Sequence, residues 1–101
     1  MDMRFLMKQA QAMQQKLMDA QANLRAVGTA GGELVTVTLN GAKELVDLSI
    51  AKEAIDPEDP SMLEDLLRAA FKDAAAKADE GMKQVQGGVM GGGFNIPGLK
   101  L

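Results

Sequence analysis

The side chains best suited to chemistry in this 101-residue chain are cations and amides near its N-terminus. Arg4, Lys8, Gln11 and Gln15 recur at intervals of three or four residues. On a helix they would share one face. Cations at that spacing suit contact with the phosphates of a nucleic-acid duplex, and a glutamine amide can bond both N6 and N7 of an adenine. The alternative is the ordinary solvated face of an amphipathic helix, and composition alone favours that alternative.

Charge is distributed unevenly along the sequence. Residues 1–27 carry four cations, two of which are Lys16 and Arg25, against two carboxylates. Residues 51–83 carry five cations against nine carboxylates. The net charge of −3 therefore describes an acidic body with a weakly basic N-terminal arm, and such an arm is compatible with an anionic partner.

Composition argues against most catalytic chemistry. The chain has no Cys and no His, so nucleophiles and general bases are restricted to Ser, Thr, Lys and carboxylates. Asp56, Glu58 and Asp59 lack the ligand spacing and the glycine of a calcium loop. The glycine clusters match neither the dinucleotide fingerprint nor the P-loop. We therefore expect no enzyme activity, no metal site, no cofactor and no small-molecule substrate.

The sequence also gives no sign of a membrane partner. No apolar run approaches the ~18–20 residues that span a bilayer. The first residues include Asp2, Arg4 and Lys8, which does not fit a secretory signal. We expect a cytoplasmic protein.

The segment that carries the candidate side chains is predicted to be one long helix over residues 1–27. Gly and Pro are absent from it, and most of its residues are good helix formers. An apolar stripe at spacings of 4 and 3 follows the face opposite the cations; its members are Leu6, Ala10, Met13, Leu17, Ala20, Leu24 and Val27. So narrow a stripe favours packing against one other helix, either in the same chain or in a second copy. Gly28, Gly31 and Gly32 are predicted to end this helix.

The periodicity then changes to two, which predicts antiparallel strands. Two apolar sets are expected to share one face of the sheet: Val35, Val37 and Leu39, and Val46, Leu48 and Ile50. Asn40-Gly41 lies between them and predicts a hairpin, because both residue types accept a positive φ. The loop either has two residues or extends through Lys43, and both lengths place the two sets on the same face. Residues 27–30 allow a third strand.

A second helix is predicted from the proline-rich segment near residue 60 to about residue 86. Asp59-Pro60 is a start signal, and Ser61 with Glu64 has the spacing of a capping box. Apolar residues then follow a 3.6 period, with Phe71 expected on the core face. We expect this helix to cover the apolar face of the sheet, because an isolated hairpin is marginal in water.

These elements predict an α+β fold with a long N-terminal helix, a small antiparallel sheet of two or three strands, a second long helix and a flexible Gly-rich tail. Residues 1–86 would form a single dimerising helix–hairpin–helix domain, and residues 87–101 the tail. The tail carries apolar residues between Phe94 and Leu101. Docking on a partner or on the domain itself and simple disorder are therefore both open.

Four segments together resemble one known family. They are LMKQAQAMQQKL at residues 6–17, LVTVTLNG at residues 34–41, DPEDPSMLEDLL at residues 56–67 and GGFNIPGL at residues 92–99. Over nearly the whole chain, in this order, they resemble the YbaB/EbfC family of bacterial nucleoid-associated proteins. The resemblance implies a tweezers-shaped homodimer with projecting N-terminal helices. It implies a protein that binds double-stranded DNA in the nucleoid and affects nucleoid organisation and gene expression.

The resemblance supplies no fixed DNA-contact motif, so the candidate DNA-binding residues rest on charge and helix face. They are Arg4, Lys8, Gln11, Gln15, Lys16 and Arg25. The rival hypothesis is a protein–protein adaptor. In that case the first helix, flanked by Met7 and Met18, and the segment from Phe94 to Leu101 would dock a protein partner, which the acidic net charge favours.

Overall fold

A computed structural model describes residues 2–90 of the chain. Its elements are α1 (Met3–Asn23), β1 (Ala26–Ala30), β2 (Val35–Leu39), β3 (Leu45–Ile50), a short 3-10 helix (Lys52–Ala54) and α2 (Pro60–Met90). The strands form one antiparallel sheet in the order β1-β2-β3. The predicted α+β architecture and the third strand are confirmed. α2 continues four residues beyond its predicted end at residue 86, and residues 91–101 of the predicted tail lie outside the described residues.

α1 is shorter than the predicted span of residues 1–27. It begins after Asp2, whose carboxylate accepts the Arg4 backbone N–H at 3.0 Å, and it ends at Asn23. The Arg25 guanidinium donates to the carbonyls of Ala22 and Leu24 at 2.8 and 2.9 Å, which fills acceptors at the helix end. The apolar spacing continues past this end, so periodicity alone could not place it.

Gly28 lies inside β1, so the prediction that it ends the first helix is wrong. It pairs with Val37 and faces the backbone of α2, where a Cβ would come within 2.8 Å of the Ala74 Cα. The strand and the helix therefore meet at backbone contact, which only a residue without Cβ permits. Gly31 and Gly32, with φ of 64° and 75°, form the turn from β1 to β2 instead.

The hydrophobic core lies between α2 and the sheet, as predicted. Its buried residues are Val35, Val37, Leu39, Ala54, Ala70 and Ala74. Leu48 and Ile50 pair with Val37 and Val35, so they share the predicted face. A register shift next to Leu39 makes Leu45 its partner and leaves Val46 without a paired residue in β2.

The loop between β2 and β3 is organised by the side chain of Asn40. Its Oδ1 accepts the backbone N–H groups of Ala42 and Glu44 at 2.8 and 3.0 Å, and its amide donates to the Glu44 carboxylate at 2.9 Å. The hairpin is confirmed, but the positive φ falls on Lys43 at 63° and not on Asn40 and Gly41. The side-chain bonds stabilise the longer of the two loops that the sequence allows, the one that extends through Lys43.

α2 begins at Pro60, as the proline predicts. Ser61 is therefore the second residue of the helix and does not occupy the N-cap position of the predicted capping box with Glu64. Its hydroxyl donates to the Asp59 carboxylate at 2.9 Å. Phe71 is 37% exposed, so its predicted core position is wrong: the alanine face of α2 meets the sheet, and Phe71 projects about 100° away from Ala70.

Candidate nucleic-acid interface

The candidate surface is carried by the part of α1 that projects from the body. Every residue from Asp2 to Lys16 is exposed, and half-buried residues begin at Leu17. The molecule is 69 Å long, and its Cα radius of gyration is 18.8 Å, against about 13 Å for a compact domain of this length. We call residues 2–16 the arm. No helix in residues 2–90 is both long and apolar enough to cross a membrane.

Two glycines fix the base of the arm to the body. A Cβ on Gly81 of α2 would lie 2.9 Å from Leu24 Cδ1, so Leu24 packs directly on the helix backbone. The Gly41 N–H donates to the Gln21 carbonyl at 2.8 Å, and a Cβ there would lie 2.9 Å from the Gln21 Cα. The hairpin loop and α2 thus hold the last turns of α1 and set the direction of the arm.

Four of the six candidate residues share one face of the arm. At about 100° per residue, Arg4, Lys8, Gln11 and Gln15 project within about 60° of one another. All four are exposed, and they cover about 17 Å of the helix axis at 1.5 Å per residue. The Gln15 amide donates to Asp19 at 3.0 Å, so a carboxylate borders this face at its inner end.

The cations of the arm are not neutralised by other described residues. The salt bridges of the described residues join Lys43 with Asp79, Arg68 with Asp65 and Lys77 with Asp73. None of them involves Arg4, Lys8 or Lys16. The positive end of the α1 dipole also lies at the tip, where the Asp2 carboxylate caps it. These charges are therefore available to an anion from outside the domain.

The structure separates the other two candidates from this face. Lys16 is exposed but projects about 120° around the helix from Arg4. Arg25 follows the end of α1, about 30 Å from Arg4 along the axis. Its guanidinium donates hydrogen bonds to the carbonyls of Ala22 and Leu24, so its charge stabilises the C-terminal end of α1.

Phe5 is a residue of this surface that the sequence reasoning missed. It is 55% exposed, and it lines a shallow depression at the tip together with Asp2, Arg4 and Lys8. The available signal was its position one residue off the apolar stripe.

Within residues 2–90, no cluster of three or more acidic side chains is placed to hold a metal ion.

The sequence matches the profile of the YbaB/EbfC DNA-binding family over residues 1–94. A nucleoid-associated protein of Maricaulis maris is 42% identical over 99% of this chain and 96% of its own length. One from Rhodococcus opacus is 46% identical over 97% of this chain and 91% of its own. One from Staphylococcus epidermidis is 53% identical over 74% of this chain and 70% of its own length.

A crystal structure shares the fold. An uncharacterized protein from Helicobacter pylori superimposes with a TM-score of 0.70 at 26% identity, covering 90% of this chain and 99% of that one.

Proposed function

The chain belongs to the YbaB/EbfC DNA-binding family, and on that premise we propose that it binds double-stranded DNA as a homodimer and thereby affects nucleoid organisation and gene expression. The names of its nucleoid-associated relatives support a place in the nucleoid, within the cytoplasm. The observation that carries the proposal is the arm, which is exposed throughout and presents Arg4 and Lys8 on one face.

The arm has two kinds of contact to offer. Arg4 and Lys8 contact phosphates, which fixes position on the duplex but reads little sequence. Gln11 and Gln15 follow on the same face as Arg4 and contact base edges or further phosphates. Arg25 contributes least, because its guanidinium is already bonded to the end of α1.

The small charge of a single arm favours a homodimer for DNA binding. One arm brings two cations to the shared face, which is little electrostatic attraction for a chain with a net charge of −3. Two arms engage about four phosphates together. Each neutralised phosphate contributes about 0.9 to the salt dependence of binding, so the log of the affinity falls against the log of the salt concentration with a slope of roughly −3 to −4.

The test is fluorescence anisotropy with a labelled duplex between about 50 and 200 mM salt, on the wild type and on two charge-reversal variants. Arg4→Glu with Lys8→Glu removes the duplex signal. Arg68→Glu with Lys72→Glu is the matched control, because it reverses an exposed pair at the same i, i+4 spacing on α2. Equal loss in both variants, or a flat salt dependence in the wild type, contradicts DNA contact through the arm.

A second candidate function is supported by the exposed methionines of α1. Met7 and Met18 are 57% and 55% exposed, and flexible thioether side chains suit adaptable protein contacts. An adaptor that docks a protein through these residues keeps its partner when Arg4 and Lys8 are reversed. A pull-down with that variant, run beside the duplex assay, therefore distinguishes the adaptor from the DNA-binding protein.

A further inference from the structure

α2 runs in the opposite direction to α1 and β1. Three contacts establish this, because each residue nearer the N-terminus meets a later residue of α2. They join Thr29 with Asp73, Val27 with Lys77, and Leu24 with Gly81. Leu17 of α1 and Val85 of α2 are half-buried, which is consistent with continued antiparallel packing beyond Leu24. The C-terminal end of α2 therefore points along α1 toward the arm.

The end of α2 determines where the arm begins. Both helices rise about 1.5 Å per residue, so from Leu24 and Gly81 the last residue of α2 comes level with about residue 15 of α1. The same geometry places Pro60 and Met3 about 63 Å apart, close to the 69 Å length of the molecule. The exposure of the arm therefore starts where α2 ends, and the arm extends about 20 Å beyond it.

One face of the arm continues the line along which α1 packs on α2. Four of its apolar residues project within about 80° of one another, on the same side of the helix as Leu17 and Leu24. We call these residues the uncovered stripe: Met3, Leu6, Ala10 and Met13. Its large side chains are between 37% and 68% exposed. A helix of about 13 residues is marginal in water by itself, so a segment that covered this stripe would stabilise the arm.

The chain that continues from α2 has the composition to cover this stripe. Residues 91–101, which lie outside the described residues, read GGGFNIPGLKL and follow α2 directly. The large apolar residues among them are Phe94, Ile96, Leu99 and Leu101. Pro97 disfavours a helix there, and eight extended residues span up to about 26 Å, against about 20 Å for the arm. The three glycines permit the turn that the chain needs to reach the stripe.

We infer that residues 94–101 dock in extended form along the uncovered stripe of their own chain. A second copy or a separate protein must bind from solution, whereas a segment tethered at the edge of the stripe acts at about millimolar effective concentration. The middle of the stripe lies about 160° around the helix from the face of Arg4 and Lys8. The docked segment therefore stabilises the arm and leaves its cationic face open.

Charge is consistent with this occupant and with its direction. Lys100 is the only charged residue among residues 91–101, and Asp2 is the only carboxylate of the arm. A segment that leaves the end of α2 and follows the stripe outward brings Lys100 to the tip, where Asp2 lies. The ammonium and the carboxylate attract each other there, and the apolar residues that precede Lys100 lie along the stripe.

The first test uses introduced cysteines in the full chain, which has none of its own. Ala10→Cys combined with Ile96→Cys should oxidise to a disulfide within one chain. Ala12→Cys combined with Ile96→Cys is the matched control and should stay largely reduced, because Ala12 is as small and exposed as Ala10 but projects about 160° away from it. Non-reducing electrophoresis and peptide mass mapping measure the yields.

Three results of that test contradict the inference. A missing disulfide at Ala10 means that the segment does not visit the stripe, and equal yields at Ala10 and Ala12 mean that it has no preferred face. A disulfide between two chains, seen as a covalent dimer, means that the segment belongs to the arm of another copy.

The second test is hydrogen exchange on the full chain. Phe94→Ser with Ile96→Ser should accelerate amide exchange in residues 3–13 by about fivefold or more, because the arm then opens more often. Exchange in the sheet should not change. Asn95→Ser, which removes no apolar side chain from the same segment, is the control. Unchanged exchange in the arm of the double variant overturns the inference, and since neither test contains DNA, both are independent of the proposed function.

Discussion

The carboxylate of Asp73 has two neighbours that favour its charged form. The hydrogen bond from the Thr29 N–H, and after it the hydrogen bond from Lys77, hold its pKa below the ordinary value of 3.8. Asp73 is therefore ionised throughout the neutral range, and the bond to β1 is kept. The sequence placed Asp73 on a helix but could not show that the edge of β1 would lie beside it, because that contact joins residues 44 positions apart.

We expect Asp73→Asn to reduce the acid sensitivity of the fold. Since the folded pKa lies below the unfolded value, ionised Asp73 stabilises the fold above pH 3.8, and this contribution is lost as the pH falls through the folded pKa. The thermal midpoint of unfolding of the wild type should exceed that of the variant at neutral pH, and this difference should become smaller in acid. A difference that stays constant with pH would mean that the charge of Asp73 does not contribute to stability.

The sequence likewise predicts some properties of the candidate site and not others. Arg4, Lys8, Gln11 and Gln15 share a face because helical periodicity alone places them there. The isolation of Lys16 follows from the same geometry. The role of Arg25 does not, because it depends on where α1 ends.

At the scale of elements, the errors of prediction arise where one element meets another. The apolar spacing of α1 continues through Leu24 and Val27, although Leu24 packs on Gly81 and Val27 belongs to β1. Glycine is disfavoured in strands, so Gly28 was interpreted as the end of a helix. Glycine is needed at this position because the backbone of α2 lies against it, and the local sequence does not show that contact. β2 was correctly predicted because its alternation reports burial on one face directly.

We expect Gly28→Ala to destabilise the protein by about 1–3 kcal/mol, because the new Cβ must push β1 away from Ala70 and Ala74. Gly88→Ala is the matched control. It makes the same substitution inside α2, where the new Cβ would meet no atom within 4 Å beyond its neighbours and the local helix backbone, and it should stabilise the helix by about 0.5–1 kcal/mol. Urea unfolding measures both. A Gly28→Ala variant as stable as wild type would contradict the close approach of β1 and α2.

The whole molecule combines an elongated shape with an uneven division of apolar surface. The side chains of its buried core are small. Val35 and Val37 are the largest that are fully buried, and α2 contributes only alanines to the buried set. Larger apolar residues, such as Phe71 and Leu48, remain exposed. A domain that leaves its larger hydrophobic side chains uncovered gains stability from association. The periodicity of the first helix allowed a second copy as its partner, and the family resemblance implied one, but neither could identify the surface.

We therefore expect the thermal midpoint of unfolding to rise with protein concentration, because association with a second copy stabilises only the folded chain. Differential scanning calorimetry over a hundredfold range of concentration measures it. A concentration-independent wild-type midpoint would indicate that the folded monomer is the stable unit.

The anchoring of α1 at its last turns alone has a consequence for how this protein can evolve. Substitutions between Asp2 and Lys16 alter side chains that support no part of the core, so selection for a folded domain scarcely constrains them. Changes at Gln21, Leu24, Gly41 or Gly81 would instead disturb the body itself. The tip of the helix can therefore acquire a new affinity for its partner without loss of stability, while its root is held nearly constant.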